Sequence, residues 1–355
     1  MEKINFVKRD NLKTKPRDEE LVFGEIFTDY MFVMDYHKEK GWYDPRIVPY
    51  APFEIEPSAM VFHYGQALFE GMKAYRNHKG DIVTFRPMDN FNRLNRSAKR
   101  ICMPEINVNF VWEALKKLLI IEKDWVPSAK DTSLYIRPFM IATDPLLGVR
   151  PSCTYKFFII LSPVGPYYAE GLDPVKIYVE DKYVRATKGG TGDAKVAGNY
   201  AASLLAAEKA KAKGYSQVLW LDAADHTFVE EVGAMNIFFK INGKIITAPL
   251  DGSILPGITR DSVIKLAKYM GHTVEERDLS IEEVFEANEK GTLEEVFGSG
   301  TAAVISPVGV LAFKDKVIQI NNNEIGQFTS MMYDKLTSIQ LGTEEDIFGW
   351  VKKID

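Results

Sequence analysis

The residues best suited to chemistry lie between Arg185 and Tyr200, where Arg185, Lys188, Lys195 and the Tyr200 phenol surround Gly189, Gly190 and Gly192. Glycines at that density let the backbone approach a ligand closely, at an entropic cost that folding recovers elsewhere. A loop of this kind running into a helix offers N–H groups and a helix dipole to phosphate. Two phosphate fingerprints are absent, however. No lysine follows a glycine and precedes a hydroxyl, as a Walker loop requires, and no Gly-x-Gly-x-x-Gly opens the helix. The strong remaining option is a lysine that is itself the reagent. An amine condenses with an aldehyde once deprotonated, and desolvation together with a cation such as Arg185 lowers a lysine pKa. That combination suits a lysine holding pyridoxal phosphate.

The elements that must position this loop are legible on both sides. Val175–Glu180 is β-rich, and the alanine-rich stretch 201–213 is made of good helix formers ended by Gly214. The spacing of Phe91, Leu94, Ala98 and Ile101 predicts a helix over 88–100 that carries Arg93, Arg96 and Arg100; 110–125 reads as a second helix. Strands are predicted over 21–36, over 72–86 as a pair around Asn77, and over 133–142 and 155–163, with 41–57 as a connecting segment and 1–20 as an extended arm. The second half offers a strand over 217–222, a hairpin over 234–248 turning at Asn242-Gly243, and helices over 258–270, 281–289 and 325–341. Helices beside a mainly antiparallel sheet indicate an α+β fold. The Pro- and Gly-dense stretch after Pro163 marks a boundary, giving a first domain over 1–165, a linker over 166–182 and a second domain over 183–355.

The run from Val184 to Tyr200 closely resembles the cofactor-lysine segment of branched-chain amino acid aminotransferases, fold type IV enzymes of the class IV aminotransferase family. Segments beginning at Leu21, Leu68, Glu231, Leu255 and Phe297 resemble that family in the same order, so the likeness covers nearly the whole chain. It implies a smaller N-terminal α+β domain, a larger C-terminal domain with a β-barrel-like core, and an active site at the domain interface.

Carried over residue by residue, the resemblance makes Lys195 the internal aldimine lysine and general acid and base, with Lys188 structural. It gives the cofactor phosphate Arg93, Arg185, the backbone at Ile258 and Thr259, and Thr301; the pyridine nitrogen Glu231; and the ring oxygen Tyr200. Glu230 is adjacent, but successive strand residues point to opposite faces, so only one of the two can face the ring. Phe23, Tyr64, Phe69, Tyr135, Val149 and Tyr167 match a substrate-side aromatic wall. Arg137 resembles the arginine that receives the glutamate side-chain carboxylate, and the N–H groups of Thr301 and Ala302 suit the substrate α-carboxylate. In the family, Tyr64, Phe69 and Val149 reach across from a neighbouring subunit, which implies a homodimer. Some animal members carry a Cys-x-x-Cys pair where this chain has Ala303 and Ser306, so thiol regulation does not transfer.

The implied reaction is ping-pong transamination of L-leucine, L-isoleucine or L-valine with 2-oxoglutarate. Two relatives in the same fold remain alternatives, a D-amino-acid aminotransferase and an aminodeoxychorismate lyase, as does a non-catalytic phosphate-binding module. With a net charge of −5, nothing points to nucleic acid or an anionic membrane surface. Cys102 and Cys153 are the only cysteines, which argues against a disulfide framework or structural zinc and for a cytoplasmic location. No metal is expected.

Overall fold

The computed structural model describes residues 3–165 and 172–354. In chain order the first strands are β1 (Asn5–Phe6), β2 (Tyr30–His37), β3 (Gly41–Pro49), β4 (Ala67–Phe69), β5 (Met72–Arg76), β6 (Ile82–Phe85), β7 (Ser133–Ala142) and β8 (Thr154–Val164). Among them run helices α1 (Met60–Tyr64), α2 (Pro87–Arg100) and α3 (Val108–Ile121). Next come β9 (Val175–Glu180), α4 (Ala197–Ala212), β10 (Gln217–Leu221), β11 (Val229–Val232), β12 (Met235–Ile241) and β13 (Lys244–Thr247). The chain continues with α5 (Ile258–Tyr269), β14 (Val274–Glu276), α6 (Ile281–Glu289), β15 (Leu293–Gly300), β16 (Val304–Phe313), β17 (Lys316–Gln319), α7 (Gln327–Leu341) and β18 (Val351–Lys353). The described residues divide into two compact units, one of 3–165, Lys195–Gly198 and 338–354, the other of 172–194 and Asn199–Thr337.

The first unit is built on a sheet ordered β1-β3-β2-β8-β7-β5-β6-β18, with β4 also paired to β7. Proline interrupts ladders, yet Pro138 sits mid-strand in β7. It is tolerated because β7 changes partner there, pairing with β4 through Phe139 and with β5 through Ile136. The Pro138 carbonyl accepts from Glu70 N, so the side of the strand that lacks a donor faces the break between β4 and β5. That break places Glu70 and Gly71 beside the strand carrying Tyr135 and Arg137. α2 starts from Arg86, in left-handed backbone at φ 50°, with Pro87 at its first position. Phe91, Leu94 and Ala98 form its buried apolar stripe, as the spacing predicts.

Three expectations are corrected here. Residues 41–49 are a full strand paired along β2, whose pattern was masked by Pro and Trp. The terminal arm contributes β1, parallel to β3. The last residues, assigned from the sequence to the second domain, return to the first unit: β18 hydrogen-bonds the edge strand β6, and Trp350 packs on Phe85 and Phe348.

In the second unit, strands β11-β10-β9-β16-β15-β12 form a ring that closes through β11–β12, a six-stranded barrel in keeping with the barrel-like core implied by the resemblance. β13 and β14 extend it from β12, and β17 from β16. Ile177, Leu219, Ile237, Phe239, Val296 and Leu311 fill its core, against Val284 and Phe285 of α6. The β12–β13 turn is Asn242-Gly243, with both residues at positive φ as a type I′ turn needs.

Candidate active site

In the first unit, Lys195 is clamped through its backbone. Its N–H donates to Ser97 Oγ on α2 at 2.8 Å, and its carbonyl accepts from Phe69 N of β4 at 3.1 Å. Its neighbour Val196 bridges to Leu68. The Lys195 Nζ lies 4.8 Å from the centre of the Phe69 ring. The Arg137 guanidinium carbon lies 4.5 Å from the same ring, and Arg137 Nη2 donates to the Tyr135 hydroxyl at 3.0 Å. Phe23 meets the Tyr135 ring edge-on at 4.9 Å. Gly71 is required here, since a Cβ at that position would come 2.2 Å from the Tyr135 hydroxyl. The structure therefore brings Phe23, Phe69, Tyr135 and Arg137 into one cluster with Lys195.

Phe69 is a correction. The resemblance sends it to the neighbouring subunit's site, whereas its hydrogen bond and ring contact join it to Lys195 of its own chain. Tyr64 and Val149 belong to no such cluster; they are 41% and 88% exposed. Tyr167 lies outside the described residues.

Arg93 is buried on α2 and engaged with Glu70, a carboxylate with no exposed surface. Arg93 Nε and Nη2 donate to Glu70 Oε1 and Oε2 at 2.7 and 2.8 Å, and Asn90 Nδ2 donates to Oε2 at 2.8 Å. Burial pushes the Glu70 carboxyl up. The Arg93 charge and hydrogen bonds, with the Lys195 charge and Asn90, more than reverse this and hold it below the usual carboxylate range. Lys73, opposite Tyr135 in the β5–β7 register, is pushed down to about 8 by burial.

In the second unit, Arg185 Nε lies 2.7 Å from Glu231 Oε2. Glu231 Oε1 accepts from Asn236 Nδ2 and Leu255 N, each at 3.1 Å. Arg185 Nη2 donates to the carbonyls of Ser253 and of Gly192, the latter at 3.2 Å. A Cβ on Gly192 would fall 2.1 Å from the Ser253 oxygen, so the loop crosses that segment as closely as backbone can. Glu230 turns the other way, to Ser253 Oγ, and burial pushes it up to about 7, with the Glu231 charge acting in the same direction. Lys188 is on the surface, paired with Asp251 at 2.7 Å.

Ile258 and Thr259 open α5 behind Gly257, which caps the helix without any side-chain acceptor. Thr301 and Ala302 form the turn between β15 and β16. Tyr200 stands in the first turn of α4, which begins four residues earlier than the sequence indicates. There the Asn199 side chain ties the loop carbonyls of Thr191 and Ala194 to the helix start.

Glu70, Ser97 and Asn236 were not singled out by the sequence. Glu70 and Asn236 were marked only by polarity beside apolar neighbours, and Ser97, between Arg96 and Ala98, carried no signal. Among the described residues no helix is long and apolar enough to cross a membrane, and no group of three or more His, Cys, Asp or Glu is arranged to hold a metal.

Each unit offers groups of the kind that suit pyridoxal phosphate: the first a lysine amine on an aromatic face, the second a carboxylate held by neutral donors and an arginine, and a helix start without a side-chain cap. A family model for amino-transferase class IV matches residues 67–310. The chain is 58% identical over 342 residues to branched-chain-amino-acid aminotransferase 2 of Bacillus subtilis (strain 168), covering 96% of this chain and 94% of that one. The crystal structure of the Escherichia coli branched-chain amino acid aminotransferase matches with a TM-score of 0.76 at 30% identity, covering 92% of this chain and 99% of that one. A further solved branched-chain amino acid aminotransferase, from T.th. and complexed with N-(5'-phosphopyridoxyl)-L-glutamate, matches with a TM-score of 0.70 at 25% identity, covering 91% of this chain and 98% of that one.

Proposed function

The chain belongs to the class IV aminotransferase family and is a pyridoxal phosphate-dependent aminotransferase of the branched-chain kind; on that footing we propose that it exchanges the amino group of L-leucine, L-isoleucine or L-valine with 2-oxoglutarate, using Lys195. The observation that carries this reading is the Lys195 amine against the Phe69 ring, in one cluster with Tyr135 and Arg137. When bound, pyridoxal phosphate supplies an electron sink that acidifies the substrate Cα–H and carries the amino group.

Lys195 Nζ takes the proton from the substrate Cα and returns it, as general base and then acid. Glu231, held in place by Arg185, Asn236 and the Leu255 amide, would hold a proton on the pyridine nitrogen. Tyr200 donates to the ring oxygen. Arg93, Arg185, Thr259 and Thr301 hold the phosphate with the amides that open α5. The N–H groups of Thr301 and Ala302 receive the substrate α-carboxylate. Phe23, Phe69 and Tyr135 exclude water from a branched alkyl group, while Arg137 offers a cation to the distal carboxylate of a five-carbon dicarboxylate. Tyr167 is proposed on the same wall from the resemblance alone. The glutamate adduct in the solved relative supports the dicarboxylate partner.

We further propose a homodimer, in which Tyr64 and Val149 are covered together with the exposed Phe62 and Leu147. A cytoplasmic location is supported by Cys102 and Cys153, both free thiols.

The test is the visible spectrum of the purified protein. Wild type shows the absorbance of lysine-bound pyridoxal phosphate, which L-leucine converts to the pyridoxamine form and D-alanine leaves unchanged. Lys195→Ala lacks the band and its turnover. A band that survives in Lys195→Ala, or a response to D-alanine alone, overturns the assignment.

A further inference from the structure

Helix α2 carries an unusual buried face. Beside its apolar stripe, Asn90, Arg93 and Ser97 are all buried, at i, i+3 and i+7, where a core-facing helix ordinarily presents hydrocarbon. Buried polar groups are retained where their hydrogen bonds are made, and each of these makes one off the helix. Asn90 and Arg93 hold Glu70; Ser97, one turn beyond Arg93, accepts from the Lys195 backbone N–H at 2.8 Å. The same strand edge takes part from the other side, because Phe69, next to Glu70, donates to the Lys195 carbonyl.

We propose that Ser97 is a positioning residue for Lys195, and that α2 acts as a strut fixing the distance between the arginine for the cofactor's anionic tail and the lysine for its aldehyde. This rests on the functional reading above. A lysine side chain has four rotatable carbons, so its reach alone does not fix where its nitrogen stands; the backbone from which it springs must be held. Two main-chain hydrogen bonds, one to Ser97 and one from Phe69, hold it on either side. Arg93 and Ser97 are four residues apart on one helix, so any shift of α2 moves both together.

The experiment compares wild type, Ser97→Ala, Ser97→Cys and Ser97→Thr, each loaded with pyridoxal phosphate. Cysteine keeps the volume but is a weak acceptor, and threonine keeps the hydroxyl. Three readouts are taken: the pH midpoint of the lysine-bound cofactor's absorbance, amide hydrogen exchange at Lys195, and the kcat and KM for L-leucine. The Ala and Cys variants are expected to bind cofactor but shift the spectral midpoint, to exchange the Lys195 amide about tenfold faster, and to lose about tenfold in kcat with little change in KM. Threonine restores all three.

An unchanged midpoint and exchange rate in Ser97→Cys overturns the proposal, as does equal loss in Ser97→Thr. If Ser97→Ala fails to fold, the Cys and Thr variants decide. Absence of the lysine-bound band in wild type marks failure of the functional reading instead, and the Lys195 exchange rate in cofactor-free protein then still tests the backbone contact.

Discussion

Replacing Glu70 by glutamine removes the charge from the most enclosed ion pair in the first unit while keeping the side chain's shape. At the observed 2.7 Å separation from Arg93 Nε, the gross attraction is about 6 kcal/mol with an effective dielectric near 20. Desolvation of both ions offsets much of this when the pair forms, so its net worth against a hydrophobic pair is small. Breaking it is different. The guanidinium stays buried without its counter-charge, and the glutamine amide presents a donor where Arg93 needs an acceptor, so the single variant should lose about 3–5 kcal/mol. Arg93→Met alone strands Glu70 and should cost a similar amount. The double variant removes both charges, leaves a methionine stem in the cavity, and should cost no more than either single variant, giving a coupling of at least about 3 kcal/mol in a double-mutant cycle. Equilibrium urea unfolding of the cofactor-free protein measures all four species without a contribution from cofactor binding. Strictly additive losses, or a Glu70→Gln cost below about 1 kcal/mol, would refute the account of Glu70 as the counter-ion that makes a buried Arg93 tolerable.

Other outcomes follow from the same geometry. Gly192→Ala drives a methyl into the Ser253 carbonyl at 2.1 Å and the Ala186 Cβ at 2.6 Å, and should weaken pyridoxal phosphate retention about tenfold or more, measured by dialysis and absorbance. Arg137→Leu should lower kcat/KM for 2-oxoglutarate by roughly 10–100-fold and that for L-leucine only a few-fold, read in separate half-reactions. Glu122 is pushed up from 4.5 to about 7 by burial, despite accepting from Tyr30 N. Because its folded pKa is raised, the carboxyl carries no penalty below pH 4.5 and an increasing one as pH rises to about 7. Glu122→Gln should therefore gain on wild type by on the order of 1 kcal/mol between pH 5 and 8, seen in thermal melts as a function of pH.

Much of the second unit was legible because its elements are locally decided. The Asn242-Gly243 turn, the helix start after Pro256-Gly257 and the apolar runs of β9, β10 and β12 each carry their own signal. In the first unit β3 escaped notice, since Trp42, Pro45 and Pro49 read as a connector until pairing along β2 fixes the strand. The reactive loop could be read from its glycines and lysines, because its chemistry depends on residue type. The supports could not. Glu70 and Ser97 act through partners 23 and 98 residues away, and no local pattern distinguishes a buried serine that holds a backbone amide from one on a wet surface. Apart from the resemblance, Glu230 and Glu231 were separable only as opposite faces of a strand; Asn236 and Arg185 show which faces which way.

The return of β18 to β6 bears on how the molecule is made. Thr84 and Lys352 are neighbours in the finished sheet although 268 positions apart in sequence, so a chain leaving the ribosome exposes the rim of β6 while all the residues between them are being made. Until β18 has been made, that rim stays unpaired and able to recruit a strand from another nascent chain. Loss of β18 therefore leaves the N-terminal sheet unsealed, although that strand contains none of the residues assigned to catalysis.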